Sequence, residues 1–501
     1  MERTSIENRF YDLLQKIESY NEALNVMFWD LRTGAPKKAV DQRSKTIGVI
    51  SSEVFRLKTS PEMKELLEEL SHQQGLSIKT AAAVEQSQKE YDKFKKIPEK
   101  EYEEYVMLQT KAESVWETAK ETSDFLLFAP YLEKLVDMNK KFLQYWGYEG
   151  TPYNTLLDFY EPGMTTDVLD RVFKSLRENI VPLVQKIGAA DKQPDTGFVS
   201  QSFPAEGQKK ASGFFLKELG YDFSAGRLDE TVHPFQISLN RNDVRVTTKY
   251  DEYDFRTAVF GTIHECGHAL YEQNISPDLE GTLLCSGTSY GIHESQSLFY
   301  ENFVGRSFGF WKRYYPKLKE FSPEQLEHVS LEDFYFAINE SKPSLIRIEA
   351  DELTYPLHIM IRYEIEKELF NGTLAVSDLP GVWNKKYEEY LGVTPPDDAK
   401  GVLQDVHWSG GSFGYFPSYA LGLLYAAQIR QAMLRDLPNL EELIEKGELQ
   451  QILSWLTNRI HQYGKTKKPL DLLWEVTGEN LNPDYLIDYL KEKYTALYSI
   501  Q

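Results

Sequence analysis

A mainly α-helical protein carrying one small antiparallel sheet is what this sequence predicts. Apolar residues recur at three- and four-residue spacing through most of the chain, and only one stretch alternates with a period of two. No internal repeat, low-complexity tract or flexible linker interrupts the pattern.

Taken from the N-terminus, residues 7–26 place Phe10, Leu13, Leu14, Ile17, Tyr20 and Leu24 on one stripe, the signature of an amphipathic helix. Ser60-Pro61 reads as a helix start, with a capping hydroxyl before a proline in the first turn. Residues 62–140 follow as long charged helices, one of them interrupted by Pro98. The period-two stretch is 233–250, with Phe235, Ile237 and Leu239, then Val244 and Val246. Asn240-Arg241-Asn242 reads as the hairpin turn between them. Residues 255–273 and 292–303 read as helices. Ser322-Pro323 with Gln325 reads as a capping box, and the Gly- and aromatic-rich segment 401–419 as a loop.

The bulk properties narrow the function. At 501 residues the chain exceeds the usual size of one core, so length alone predicts two or three packing units. With 41% hydrophobic and 27% charged residues it reads as an ordinary globular protein. A net charge of −21 argues against nucleic acid, which calls for a basic footprint. The acid either keeps the protein soluble or surrounds a cleft and favours cationic substrates. Only Cys266 and Cys285 are present, so no disulfide framework is expected. The opening MERTSIENRFYDLL lacks an apolar signal core, and no run reaches the roughly 18 apolar residues of a membrane span. A cytoplasmic enzyme is the simplest fit.

The chemistry concentrates at residues 264–268, which read H-E-x-x-H. At about 100° per residue, four residues bring His268 within about 40° of His264, so both imidazoles can meet one ion. Glu265 lies about 60° beyond His268, placed for a water rather than for the metal. Cys266 falls near the opposite face, and Gly267 leaves the metal side uncrowded. A catalytic zinc wants three protein ligands and one open position. Downstream, residues 292–303 supply His293, Glu294 and Glu301. Glu294 is the expected third ligand, because it opens a new helix after the glycine-containing stretch 281–291 and completes a His₂Glu set. His293 beside it is expected to support a ligand rather than be one. With 9 His in 501 residues, H-E-x-x-H should arise by chance in about one such chain in a hundred, so the match is informative. Zinc lowers the pKa of its water to about 7, and Glu265 would take that proton and pass it to the leaving amine. His407, Tyr415 and Tyr419 are candidate oxyanion donors.

Six ordered segments then carry a resemblance: HPF at 233–235, DVRVT at 243–247, HECGH at 264–268, HESQ at 293–296, IRIEAD at 346–351 and GVLQDVHW at 401–408. With FWDLRTGAP at 28–36, they make the chain resemble the carboxypeptidase Taq family of zinc metallocarboxypeptidases over nearly its whole length. That resemblance implies one unit over residues 1–501. Two helical halves would flank a deep groove in a fold similar to neurolysin and angiotensin-converting enzyme. It also implies release of single residues from peptide C-termini with broad preference and poor action at proline. One zinc per subunit, replaceable by cobalt, and a homodimer are implied as well. His264, His268 and Glu294 match the family's metal ligands and Glu265 its catalytic residue.

Cutting only at a free C-terminus requires a cation for the carboxylate, preferably arginine for its bidentate fork. Arg347 is favoured, against a structural ion pair with Asp351 or Glu349. For Arg245 an ion pair stands ahead of substrate contact. His233, extended before Pro234, suits a ligand-facing position, and Tyr419 is a further candidate for substrate contact. Asp405 could orient a histidine ligand through its free ring nitrogen. The competing functions are a zinc oligopeptidase that cuts internally or releases dipeptides, and a non-catalytic helical binding protein stabilised by zinc.

Overall fold

The computed structural model describes residues 4–500. The N-terminal helix outruns its stripe at both ends, spanning Ser5–Thr33, with Thr4 and Glu7 closing a capping box at its start. Phe10, Leu13, Leu14, Ile17 and Leu24 are buried as their spacing requires, whereas Tyr20 is only half-buried. Ser60 accepts from the Met63 amide at 3.0 Å and starts Pro61–Ser71. Helices Ile78–Lys95, Glu99–Thr122 and Phe125–Trp146 follow, with Pro98 standing at the boundary between the first two.

The sheet has three strands in the order β1-β3-β2: β1 Leu228–Glu230, β2 Gln236–Asn240 and β3 Asp243–Thr248. The predicted hairpin is present, with Gln236 opposite Val246 and a bulge between Ser238 and Asn240. The sheet is nevertheless mixed and not purely antiparallel, since β1 runs parallel to β3. Three residues of β1 were too few to leave a periodic signal. Val244 and Val246 are fully buried against the helix that carries the histidines, while Phe235 and Ile237 stay half-exposed.

Two helix ends depart from expectation. Ser322 precedes Pro323–Leu326 without capping it. Ser322 Oγ instead donates to Gln325 Oε1 at 3.2 Å, while the Gln325 amide donates to the Phe198 and Gln201 carbonyls at 2.9 and 3.0 Å, so hydroxyl and side-chain oxygen meet each other rather than the backbone amides of the helix start. The glycine-rich loop stays irregular only to Phe416, where helix Pro417–Asp436 begins; Tyr419 therefore sits in a first helical turn.

Buried apolar side chains form one cluster that runs from Phe10 to Tyr498. Into it opens a groove of about 1800 Å³, lined from both ends of the chain, from Arg32 to Lys465. Among the described residues no helix is long and apolar enough to cross a membrane.

Candidate active site

Helix Phe255–Gln273 carries the two histidines and Tyr290–Leu298 carries Glu294. The Nε2 atoms of His268 and His264 stand 3.3 and 3.7 Å from the same Glu294 oxygen, Oε2. All three ligand atoms lie within 4.8 Å of one another. Bonds of about 2.0–2.2 Å to one four-coordinate ion put ligand atoms about 3.3–3.6 Å apart, so the residues fit a metal of that size. Glu265 follows His264 on the same helix, is only 8% exposed and lines the groove. Burial, with Glu294 and Glu301 nearby and despite His264, pushes its carboxyl up to about 7.

Each histidine is steadied through its other nitrogen. His264 Nδ1 meets Glu301 Oε2 at 2.9 Å, and Arg306 Nη2 donates to Glu301 Oε1 at 3.0 Å. Against burial, His264 and Arg306 hold the Glu301 carboxyl well below the usual carboxylate range. Glu301 reaches this position because the helix widens after Leu298 into a π-helical turn over Phe299–Gly305. His268 Nδ1 meets His293 Nδ1 at 2.6 Å, and His293 Nε2 meets Glu272 Oε1 at 2.8 Å. With Nε2 of His268 kept for the ion, its Nδ1–H donates to His293, whose Nε2–H donates to Glu272.

The glutamate helix is positioned from three sides. Ser289 caps it, accepting from the Ile292 amide at 3.0 Å. Glu161, fully buried, accepts from Ser289 Oγ, the Gly291 amide and Tyr425 OH at 3.1, 2.9 and 2.8 Å. The closest approaches need glycine. A Cβ on Gly267 would lie 2.4 Å from the Gln296 carbonyl oxygen, and one on Gly422 would lie 2.5 Å from Glu294 Cγ. Gly267 thus admits the second helix, rather than merely leaving the metal side clear.

The other predicted residues separate into groups. His233, Arg347, Tyr415 and Tyr419 line the groove. Arg347 does make an ion pair, but with Asp405 and not with Asp351 or Glu349: Nε donates to Oδ1 at 2.9 Å, and Nη1 donates to Tyr355 OH at 3.1 Å. Arg362 Nε takes the other Asp405 oxygen at 2.7 Å. Asp405 therefore holds two guanidiniums and orients no histidine ligand; against burial, they keep its carboxyl far below the ordinary range. His407 stands behind the groove, its Nε2 3.2 Å from Tyr419 OH. Arg245 lies outside the groove lining, bidentate to Asp243 at 2.7 and 2.6 Å and beside the Trp29 ring.

Sequence reasoning missed Glu272, Glu161, Arg306 and Gly422. Glu272 was accessible, being four residues after His268 on one helix face. Glu161 and Gly422 lie over a hundred positions from the residues they touch and carry no local signal.

The model of the family described as carboxypeptidase Taq (M32) metallopeptidase matches residues 9–494. Carboxypeptidase 1 of Bacillus subtilis is 59% identical over 499 residues, covering 99% of this chain and 100% of that protein. Thermostable carboxypeptidase 1 of Thermus thermophilus is 42% identical over 94% of each chain. The M32 carboxypeptidase structure from Deinococcus radiodurans superposes with a TM-score of 0.97 at 34% identity, over 99% of this chain and 100% of that one. A hydrolase acting on peptides with a divalent metal is what this family implies, and a His₂Glu cluster beside a buried glutamate is the matching chemistry. The chain belongs to the carboxypeptidase Taq (M32) family of metallopeptidases.

Proposed function

We propose that this protein releases single amino acids from peptide C-termini, with zinc held by His264, His268 and Glu294. The observation that carries the reading is the ligand spacing of 3.3 and 3.7 Å around one carboxylate oxygen, with Glu265 next to it in an open groove. Zinc, or cobalt in its place, would supply a Lewis acid for the scissile carbonyl and the attacking water. Glu265 accepts the water's proton and delivers it to the leaving amine. Tyr415 and Tyr419 donate toward the oxyanion, and His407 fixes the Tyr419 hydroxyl from behind.

Exopeptidase action asks for a cation at the substrate carboxylate. Two guanidiniums on the single Asp405 carboxylate leave surplus positive charge, and Arg347 is the one of the two that lines the groove. Arg347 is therefore assigned to the carboxylate, with Tyr355 steadying it and the exposed His233 available to the peptide backbone. The names of the Bacillus and Thermus relatives favour the same activity. Broad residue preference, weak action at proline, a homodimer and a cytoplasmic location complete the reading and rest on family resemblance.

The test compares a blocked dipeptide with its C-terminal amide. Cleavage of the free acid alone is expected. Equal cleavage of both would replace the carboxypeptidase reading with an internally cutting oligopeptidase.

A further inference from the structure

For a chain of net charge −21, the groove has an unexpected wall. Lys89, Lys93 and Lys96 follow one another at four- and three-residue spacing on helix Ile78–Lys95 and its C-cap, so they share one helix face, and all three line the groove. Lys465, from the turn His461–Thr466 packed on that helix, joins them. Among the described residues no carboxylate lies within 4.0 Å of any of the four ammonium groups, although nearby lysines are paired, Lys58 with Glu90 at 2.9 Å and Lys468 with Glu85 at 3.0 Å.

The carboxylates on the same stretch of groove offset this charge only in part: Glu90 is taken by a cation, and among the described residues four ammonium groups then stand against two carboxylates, Asp92 and Asp158, that no cation holds. Glu90 is held by Lys58, Asp92 accepts from the Gln88 amide at 3.0 Å, and Asp158 accepts from the Gly163 backbone at 2.8 Å. Lys93 is half-buried with its Nζ 4.0 Å above the Phe159 ring. Burial pulls its ammonium below the ordinary lysine range, a penalty that a ligand carboxylate would relieve. The wall is continuous with the catalytic end: Phe159 leads to Tyr160, whose carbonyl accepts from the Tyr290 amide at 3.1 Å, and Tyr290 opens the helix that carries Glu294.

We propose that Lys89, Lys93, Lys96 and Lys465 form a subsite for acidic side chains upstream of the scissile bond, making acidic peptides the preferred substrate class. This rests on the carboxypeptidase reading above. Of the two uses of acid open to the sequence, this stretch of groove speaks against acid gathered there for cationic substrates: the chain carries a net charge of −21 while this wall is lined by lysines. Each solvent-facing pair is individually weak, so two or three engaged together amount to about a tenfold preference, and added salt screens it.

The experiment uses the zinc-loaded full chain and matched peptides that share one C-terminal residue and scissile bond, with four upstream Glu, Gln or Lys residues. At low ionic strength kcat/KM should be about tenfold higher for the Glu peptide than for the Gln peptide, lower still for the Lys peptide, and nearly equal in about 0.5 M salt. In K89Q/K93Q/K96Q the Glu-to-Gln ratio should fall toward one. Because Lys93 packs on Phe159, the double variant K89Q/K96Q, which spares that contact, serves as the second reading and should give a ratio between the two. Equal rates for Glu and Gln peptides in the parent protein, or a ratio unchanged in both variants, overturns the subsite. A blocked dipeptide, too short to reach the wall, separates the two failures: if it is not cut, the carboxypeptidase reading falls instead.

Discussion

The two ends of the groove are built on opposite terms. At the metal end nearly every polar group has a fixed partner: His264 with Glu301, His268 with His293 and Glu272, and Glu161 with three donors at the root of the glutamate helix. Along the lysine wall four cations have, among the described residues, no carboxylate within 4.0 Å. Paired networks hold geometry, which catalysis needs to a fraction of an ångström. Unpaired cations hold a field, which tolerates many peptide conformations and suits recognition of class rather than shape. A bond-breaking site and a sequence-tolerant track can therefore share one groove without sharing a design.

The largest expected effect tests whether the committed end is catalytic at all. Glu265→Gln should keep its metal, measured as bound zinc per chain, while turnover falls by about a thousandfold, because no carboxylate remains to accept the water's proton. Unchanged hydrolysis would leave Glu265 without a role and bring back a structural zinc site.

A second test concerns a buried acid that holds the loop leading to Tyr415. Glu366, fully buried, accepts from Tyr153 OH at 2.6 Å, Trp408 Nε1 at 2.7 Å and the Gly414 amide at 2.8 Å. Burial still pushes its carboxyl up to about 7. The folded protein thus retains a proton that the unfolded chain releases near pH 4.5. This group's contribution to stability is full below about pH 4.5 and lost as pH rises to about 7, by about 3 kcal/mol. The difference in Tm between the parent and Glu366→Gln should accordingly shrink or reverse between pH 5 and pH 8. A constant difference would show Glu366 ionised throughout.

Smaller effects sharpen the account of positioning. Gly422→Ala would place a methyl 2.5 Å from Glu294 Cγ and should weaken zinc affinity by up to about a hundredfold, an overpacking effect delivered to a ligand. In a Glu294→Ala background the same substitution should cost no further affinity; an equal loss there would mean a general packing defect. Glu301→Gln, which keeps the shape but removes the charge facing His264 and Arg306, should weaken zinc by about tenfold. No change in either affinity would dissolve the contrast between the two ends.

Much of this was legible in the chain itself. The N-terminal stripe, the Ser60 cap and the hairpin depend on contacts within a few residues, where helix and strand periods fix which side chains face inward. Failures came where distant groups competed. Ser322 did not close its box because its hydroxyl donates to Gln325 Oε1, on a side chain whose amide is anchored to carbonyls more than a hundred residues away, and Asp405 went to Arg347 and Arg362 rather than to a histidine.

By itself the sequence determined that two imidazoles share one helix face with a glutamate beside them, since four residues make close to one turn whatever surrounds them. Only the tertiary structure decided which carboxylates steady those rings, which glycines let Glu294 close the triad, and which lysines stand, among the described residues, without a carboxylate partner. Those outcomes turn on how helices far apart in the chain pack together, and packing distance is set by every side chain at the contact rather than by any local spacing.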